Sequence, residues 1–224
     1  MSTDTATIDN GARVRLAGEQ DDSTIARFEV RAAQRALALL KGKLGRERLL
    51  DLLADEIAAG EAYLRDHVAR SAGEETTGTT TLHAQGITAA QFTSWLSQAF
   101  GREDVLLAGH PEHYSIHAGG GRVNIVETLG DHVCSFYMRE WDEASTPAAP
   151  AGRRSRMVLE DGTVVGGITN SFTDVEGGFT VDLSVTLPAS CGPAVVEHHL
   201  EHFAVEFHNW ILQAASEPSA PSAG

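Results

Sequence analysis

Cysteine is almost absent from this chain, and basic residues are far fewer than acidic ones. Cys134 and Cys191 are the only cysteines in 224 residues, and their separation fits neither a disulfide framework nor a cysteine zinc motif. The 17 Lys and Arg residues against 31 Asp and Glu residues give a net charge of −14, which would repel a phosphate backbone. Nucleic acid is therefore not an expected partner.

Long apolar runs are missing as well. No stretch approaches 18 uninterrupted apolar residues, and the polar N-terminus lacks the apolar core of a signal peptide. We therefore expect no membrane span, and the scarcity of cysteine favours a cytoplasmic location. What the chain does have is a hydrophobic content of 42%, which is enough for one substantial core with a smaller helical part.

Changes in composition divide the chain into four parts. Residues 1–22 are polar, and residues 216–224 are rich in Pro, Ser and small side chains, so both ends are predicted to be disordered tails. Residues 23–72 carry two apolar stripes at helical spacing with the sequence KGKLG at 41–45 between them, which predicts an N-terminal helical hairpin. This hairpin is a candidate for a homodimer interface or for a lid over a pocket.

Residues 73–215 have the composition of a β-rich domain, in which glycine turns separate runs of β-branched residues. A short helix is predicted at 88–100 and a long helix at the C-terminal end. Seven strands are predicted, at 79–85, 112–117, 121–129, 133–141, 155–160, 163–174 and 178–187. Strands closed by a long terminal helix predict an α+β fold, in which an antiparallel sheet wraps that helix.

The C-terminal helix contains the sequence HHLEHFAVEFHNW at 198–210, which places several ionisable side chains beside an apolar stripe. His202 and Glu206 are four residues apart, and His199 lies one turn before His202, so all three project from one side of the helix. This spacing suits metal ligands, but a His and Glu pair on a surface helix is more often a weak ion pair. The helix alone leaves both interpretations open.

Glu127 breaks the pattern of the predicted strand 121–129. It shares a strand face with alternating apolar residues, and a carboxylate that points into a core is costly unless it is paired, protonated or bound to a cation. A bound metal would relieve that cost. Two alternatives stay open: Val126 could mark the inner face instead, or Glu127 could pair with an arginine.

Four segments together resemble the family of 2,4-diacetylphloroglucinol hydrolase and phloretin hydrolase, in order and in approximate spacing. They cover roughly residues 76–213. The segments are GITAAQFTSWLSQAF (86–100), HPEHYSI (110–116), VNIVETLG (123–130) and HFAVEFHNW (202–210).

The resemblance implies a helix-grip fold related to Bet v 1 and the START domains, and a single Zn²⁺ held by two histidines and two glutamates. Carried over by motif, these ligands are His113, Glu127, His202 and Glu206. The family's activity implies a zinc-dependent hydrolase that cleaves a carbon–carbon bond of an acylated phenolic, polyketide-like aryl ketone. The interval between His113 and Glu127 is shorter than in the family, and residues 25–70 have no counterpart there.

Four further residues are candidates for positions around the metal. His199 and Asn209 are expected to support the ligands by hydrogen bonds from outside the coordination shell. Tyr114 and His110 are offered as neighbours in the substrate pocket. Iron and manganese suit two imidazoles and two carboxylates less well than zinc does.

Two other functions are compatible with the same sequence. A helix-grip protein without enzymatic activity could hold a polyketide or lipid in its cavity, because a fold does not determine a function. A hydrolase or cyclase of the same fold could act on an amide or a lactone, because the same Lewis acid polarises any acyl carbonyl. Metal content distinguishes a non-enzymatic binding protein from the zinc-dependent enzyme. Substrate profiling distinguishes a hydrolase or cyclase of an amide or lactone from a carbon–carbon hydrolase.

Overall fold

The structure is a computed structural model that describes residues 14–140 and 152–217. The predicted tail at 1–22 lies mostly outside the described residues, and the predicted tail at 216–224 lies outside them except for Ser216 and Glu217. The chain divides into two compact units, Met1–Lys43 and Leu44–Gly224.

The described residues contain five α-helices and seven β-strands. The helices are α1 (Ser23–Leu52), α2 (Ala54–Ser71), α3 (Ala89–Ala99), α4 (Glu103–Leu107) and α5 (Pro193–Ser216). The strands are β1 (Glu75–Gln85), β2 (His113–Gly119), β3 (Arg122–Leu129), β4 (His132–Glu140), β5 (Gly152–Val158), β6 (Val164–Val175) and β7 (Gly178–Pro188). The five-residue helix α4 was not predicted from the sequence, because one turn is too short to show a helical period.

Helix α1 consists of two helical stretches that meet at a kink within the segment where the sequence predicted a turn. Its backbone departs from helical geometry at Gly45, with a φ of 68° that glycine adopts without strain. The helix then resumes to Leu52, and α2 begins two residues later. The break between the two helical stretches, at Gly45, falls within the predicted turn at 41–45. Within Met1–Lys43, the predicted apolar stripe is largely exposed, as Phe28 and Leu40 illustrate at 49% and 60%.

Helix α2 packs against the sheet, chiefly against β4. Gly60 passes so close to the carbonyl of Val133 in β4 that no side chain fits at this position. Leu64, one turn later, is fully buried, and His67 bonds to Ser190 beyond the end of β7. The division into compact units falls after Lys43. The predicted boundary at residue 72, between a helical hairpin and a metal-binding domain, stays a prediction.

The seven strands form one antiparallel sheet in the order β1-β7-β6-β5-β4-β3-β2. Strand β7 shows why this segment folds as a strand, because its apolar residues from Phe179 to Leu187 alternate with polar ones and are fully buried. On the opposite face, hydroxyl side chains pair across β1 and β7, with Thr79 and Ser184 2.8 Å apart. One face of the sheet is thus available for a core, and the other is polar.

Helix α5 packs on the apolar face against β1 and β7. Gly78 in β1 allows this approach, because a side chain there would collide with Val196 and Leu200 of the helix. Phe203 and Phe207 are buried on the same side. A seven-stranded antiparallel sheet with this long C-terminal helix is the helix-grip architecture that the sequence predicted. No helix within residues 14–140 and 152–217 combines the length and apolarity needed to cross a bilayer.

Replacing Gly60 with alanine is expected to lower the free energy of unfolding by about 1–3 kcal/mol, the usual cost of an overpacked core. The added methyl group would meet a backbone carbonyl of β4, which cannot move aside as a side chain can. Urea unfolding of the parent and variant measures the difference. Gly101→Ala is the matched control, because its methyl group would make only an ordinary contact at 3.5 Å. Equal midpoints for the parent and Gly60→Ala would contradict the close contact between α2 and β4.

Candidate metal centre

Four ionisable side chains meet between the sheet and helix α5. His113 opens β2 and lies beside Glu127 of β3 in the strand register, so both side chains point to the face that α5 covers. His202 and Glu206 come from α5, one turn apart. All four are buried, with exposed fractions of 0% for His113, 4% for Glu127, 2% for His202 and 7% for Glu206. These are the four residues that the resemblance singles out as ligands.

The distances within this cluster are close to those of a tetrahedral site. With zinc bonds of about 2.0–2.1 Å to nitrogen and oxygen, two ligands of a tetrahedral ion lie about 3.4 Å apart. The His113 Nε2 atom is 3.6 Å from Glu127 Oε2 and 3.5 Å from Glu206 Oε1. The His202 Nε2 atom is 3.6 Å from the same Glu127 oxygen.

The two histidine nitrogens are closer than a shared ion would allow. His113 Nε2 and His202 Nε2 lie 2.9 Å apart, at hydrogen-bond distance. An ion between them would require these atoms to separate by about 0.5 Å, since its ligands lie about 3.4 Å apart. The donor atoms His113, His202 and Glu206 all lie within 4.8 Å of one another, so these residues could hold a metal ion.

The tautomer of His113 is set by helix α4. Its Nδ1–H donates to the carbonyl of Leu106 at 3.2 Å, and a carbonyl oxygen can only accept. A neutral His113 therefore has its lone pair on Nε2, the atom that faces the cluster. Leu106 was missed by the sequence analysis, because a backbone carbonyl leaves no signature in the sequence.

Helix α5 also holds the segment that leads into His113. Trp210 Nε1–H donates to the same Leu106 carbonyl at 3.2 Å, and Asn209 Nδ2–H donates to the Gly109 carbonyl at 2.9 Å. Gly109 has to be glycine, because a side chain there would collide with the Trp210 indole. The candidate ligand pair on α5 and His113 on β2 are therefore positioned by one set of contacts.

Burial shifts the protonation of the cluster towards neutral forms. It raises the pKa of Glu127 to about 8, with a smaller contribution from the negative charge of Glu112. Burial, and then the charge of Glu127, raises the pKa of Glu206 well above its ordinary value. Burial lowers the pKa of His202, and the neighbouring His113 and further histidines add to that effect. A cation placed among these groups would favour ionised carboxylates and neutral imidazoles.

A second group of potential ligands, His110, Glu112 and His202, fits a metal less well. The rings of His110 and His202 stack at a centroid distance of 3.7 Å with an angle of 24°. The lone pairs of an imidazole lie in the ring plane, so one ion cannot lie in the planes of two stacked rings. The Nδ1 atom of His110 also accepts a hydrogen bond from the backbone N–H of Glu112 at 3.1 Å. The cluster around His113 is therefore the better candidate.

The four residues predicted to surround the metal have different positions. His110 stacks on His202, and His199 lies near Glu127, with 3.9 Å between His199 Nδ1 and Glu127 Oε1. Asn209 supports the chain at Gly109 rather than a ligand. The Tyr114 hydroxyl is 3.2 Å from the hydroxyl of Thr128, which neighbours Glu127 and points to the other face of β3. We therefore do not assign Tyr114 to the pocket.

No protein-family model matches the chain, and no curated protein matches it in sequence. Ara h 8.0201 is one similar solved structure, with a TM-score of 0.44 and 12% identity over 64% of this chain and 100% of that one. The Zhui aromatase/cyclase from Streptomyces sp. R1128 has a TM-score of 0.43 and 13% identity over 67% and 99%. A START superfamily protein from Mycobacterium smegmatis has a TM-score of 0.42 and 13% identity over 63% and 99%. None of these similarities supports the hydrolase family, which rests on the sequence segments alone.

The metal-free protein is expected to lose stability as the pH rises from 6.5 to 8.5. Glu127 has a pKa of about 8 when folded and an ordinary pKa near 4.5 when unfolded, so the folded state binds the extra proton between these values. Its stabilising effect is fully present below pH 4.5 and is lost as the pH rises through 8. The slope approaches about 1.4 kcal/mol per pH unit for each such carboxyl group.

The buried His199 affects the stability of the fold in a lower pH range. The pKa of His199 falls to about 3 because of its burial and the neighbouring histidines, so its destabilising effect appears only as the pH falls below 6.5. Urea midpoints of chelator-treated protein at pH 6.5, 7.5 and 8.5 measure the carboxyl effect. Glu127→Gln should flatten the slope, and Glu201→Gln, at an exposed position of α5, should keep it. An equally steep slope in Glu127→Gln would rule out Glu127 as its source.

Proposed function

We propose that this protein is a zinc-dependent hydrolase that cleaves the carbon–carbon bond between the acyl group and the ring of an acylated phenol. The observation that carries the proposal is the convergence of two histidines and two glutamates in a buried cluster, in which three donor distances of 3.5–3.6 Å are close to those of a tetrahedral ion. The reaction type comes from the resemblance of the four sequence segments to the hydrolase family.

The charges of the cluster favour a divalent ion. Glu127 and Glu206 contribute two negative charges when ionised, which a divalent cation balances, and two neutral imidazoles add no charge. Burying two carboxylates without such compensation is expensive. Two nitrogen and two oxygen donors at this spacing suit zinc better than the larger, oxygen-preferring calcium ion.

The proposed reaction adds one water molecule across the bond between the ring and the acyl carbon. The hydroxyl group goes to the acyl carbon to give a carboxylic acid, and a proton goes to the ring carbon to give the deacylated phenol. A bound zinc ion supplies the Lewis acidity that polarises the ketone and activates water. An electron-rich ring makes the departing carbon more basic and so easier to protonate.

The residues of the chain position the ligand side chains and exclude water from the site. His113 is oriented by Leu106, and His202 and Glu206 are held on one helix, so these side chains are already directed at the cluster. His110 covers one face of the His202 ring and limits water there. Electrostatic interactions within such a buried site are stronger than they would be in water.

The first test is the metal content of the purified protein, measured by elemental analysis and by competition with a chromogenic chelator. One zinc ion per chain is expected. His202→Ala and Glu127→Gln each remove one donor. Losing a residue that only supports a ligand usually lowers metal affinity by about 10–100-fold, and the loss of a donor should lower zinc affinity by more than that. His208→Ala is the matched control, because His208 is exposed on the same helix.

The second test is turnover of a monoacylated trihydroxybenzene, with the phenol and the carboxylic acid quantified together. Equal amounts of both products are expected from the parent protein and from His208→Ala, and the two ligand variants should lose activity with their zinc. Zinc binding without turnover, together with binding of the aryl ketone, would favour a ligand-binding protein over an enzyme. Unchanged zinc occupancy in both ligand variants would reject the assignment of the metal centre.

A further inference from the structure

His199 is a completely buried histidine without hydrogen bonds in the described part of the chain. Its side chain is 0% exposed, and neither ring nitrogen has a hydrogen-bond partner. A neutral imidazole carries one N–H donor and one acceptor, and buried polar groups are rarely left unpaired in native proteins. A fully enclosed, unpaired imidazole next to the metal cluster therefore calls for a role.

The position of His199 relates it to one ligand. It lies one turn before His202 on α5, with the two rings nearly parallel at 15° and 5.4 Å between centroids. Its Nδ1 atom is 3.9 Å from Glu127 Oε1. The other oxygen of that carboxylate, Oε2, is the atom that lies 3.6 Å from His113 and from His202. The two oxygens of Glu127 thus face different partners.

This division matters for a carboxylate that binds an ion through one oxygen. The second oxygen keeps its lone pairs, and in a buried site it requires a donor. His199 is the imidazole next to Oε1, whereas His113 and His202 lie beside Oε2. The gap between these atoms would have to close by about 1 Å to reach the usual hydrogen-bond length.

We propose that His199 is a positioning residue, whose Nδ1–H donates to Oε1 of Glu127 and so directs Oε2 to the metal. This inference rests on the proposed metal centre. In the ion-bound protein, Glu127 would bind through Oε2 alone and His199 would hold its other oxygen. His199 itself touches neither the metal nor the substrate.

Three substitutions at this position separate the two ring nitrogens. The amide nitrogen of asparagine occupies roughly the place of Nδ1, that of glutamine roughly the place of Nε2, and leucine supplies neither donor. We expect His199→Leu and His199→Gln to weaken zinc binding by about 10–100-fold, the usual effect of losing a supporting partner. His199→Asn should keep the affinity within about threefold of the parent.

The experiment uses the full chain and measures the zinc dissociation constant by chelator competition, together with the melting temperature of the metal-free protein. A structural role alone would lower that melting temperature in His199→Leu. The positioning role predicts the opposite combination, since leucine removes unpaired polar atoms from the core: a melting temperature that is equal or higher, with weaker zinc binding. His208→Leu, at an exposed position of the same helix, serves as the control and should change neither quantity.

A double-mutant cycle tests whether His199 acts through Glu127. In the Glu127→Gln background, His199→Leu should cost much less zinc affinity than in the parent, because the acceptor has already been altered. Additive losses, or a His199→Leu protein that binds zinc as tightly as the parent, would overturn the inference and leave the metal centre intact. A parent protein that binds no zinc would overturn the inference and the proposed metal centre together.

Discussion

The enclosure of two carboxylates beside two imidazoles is the constraint on which the rest of this structure depends. Glu127 and Glu206 are nearly inaccessible to water, and burial raises the pKa of each. Without a cation, burial favours the neutral forms of these carboxyl and imidazole groups. These two groups lie beside the middle of α5, and the apolar stripe of the same helix supplies the stabilising burial.

Hydrogen bonds around the cluster hold its side chains in position. The Leu106 carbonyl accepts from both His113 and Trp210, so one backbone atom orients a ligand from the sheet and anchors the helix that carries two more. Asn209 adds a second anchor at Gly109. The candidate donor set is thus positioned by contacts from outside it.

The sequence predicted the sheet and the helix of the candidate metal centre because both have clear periods. The alternation in β7 and the helical spacing of His202 and Glu206 depend on local geometry, which a sequence displays directly. The position of α2 on β4 was not predictable, because an apolar stripe shows that a face is buried but not what covers it. The contact of Leu106 with His113 was hidden for a related reason, as backbone carbonyls are present at every residue.

Strand β2 lies at the edge of the sheet, and helix α5 packs mainly against β1 and β7 at the opposite edge. In the proposed holoprotein, an ion shared by His113, Glu127, His202 and Glu206 would link the edge strand β2 to helix α5. Binding of the ion and attachment of β2 to α5 would then be a single equilibrium. The local opening of β2 would therefore depend on how much ion is bound, even in the absence of substrate.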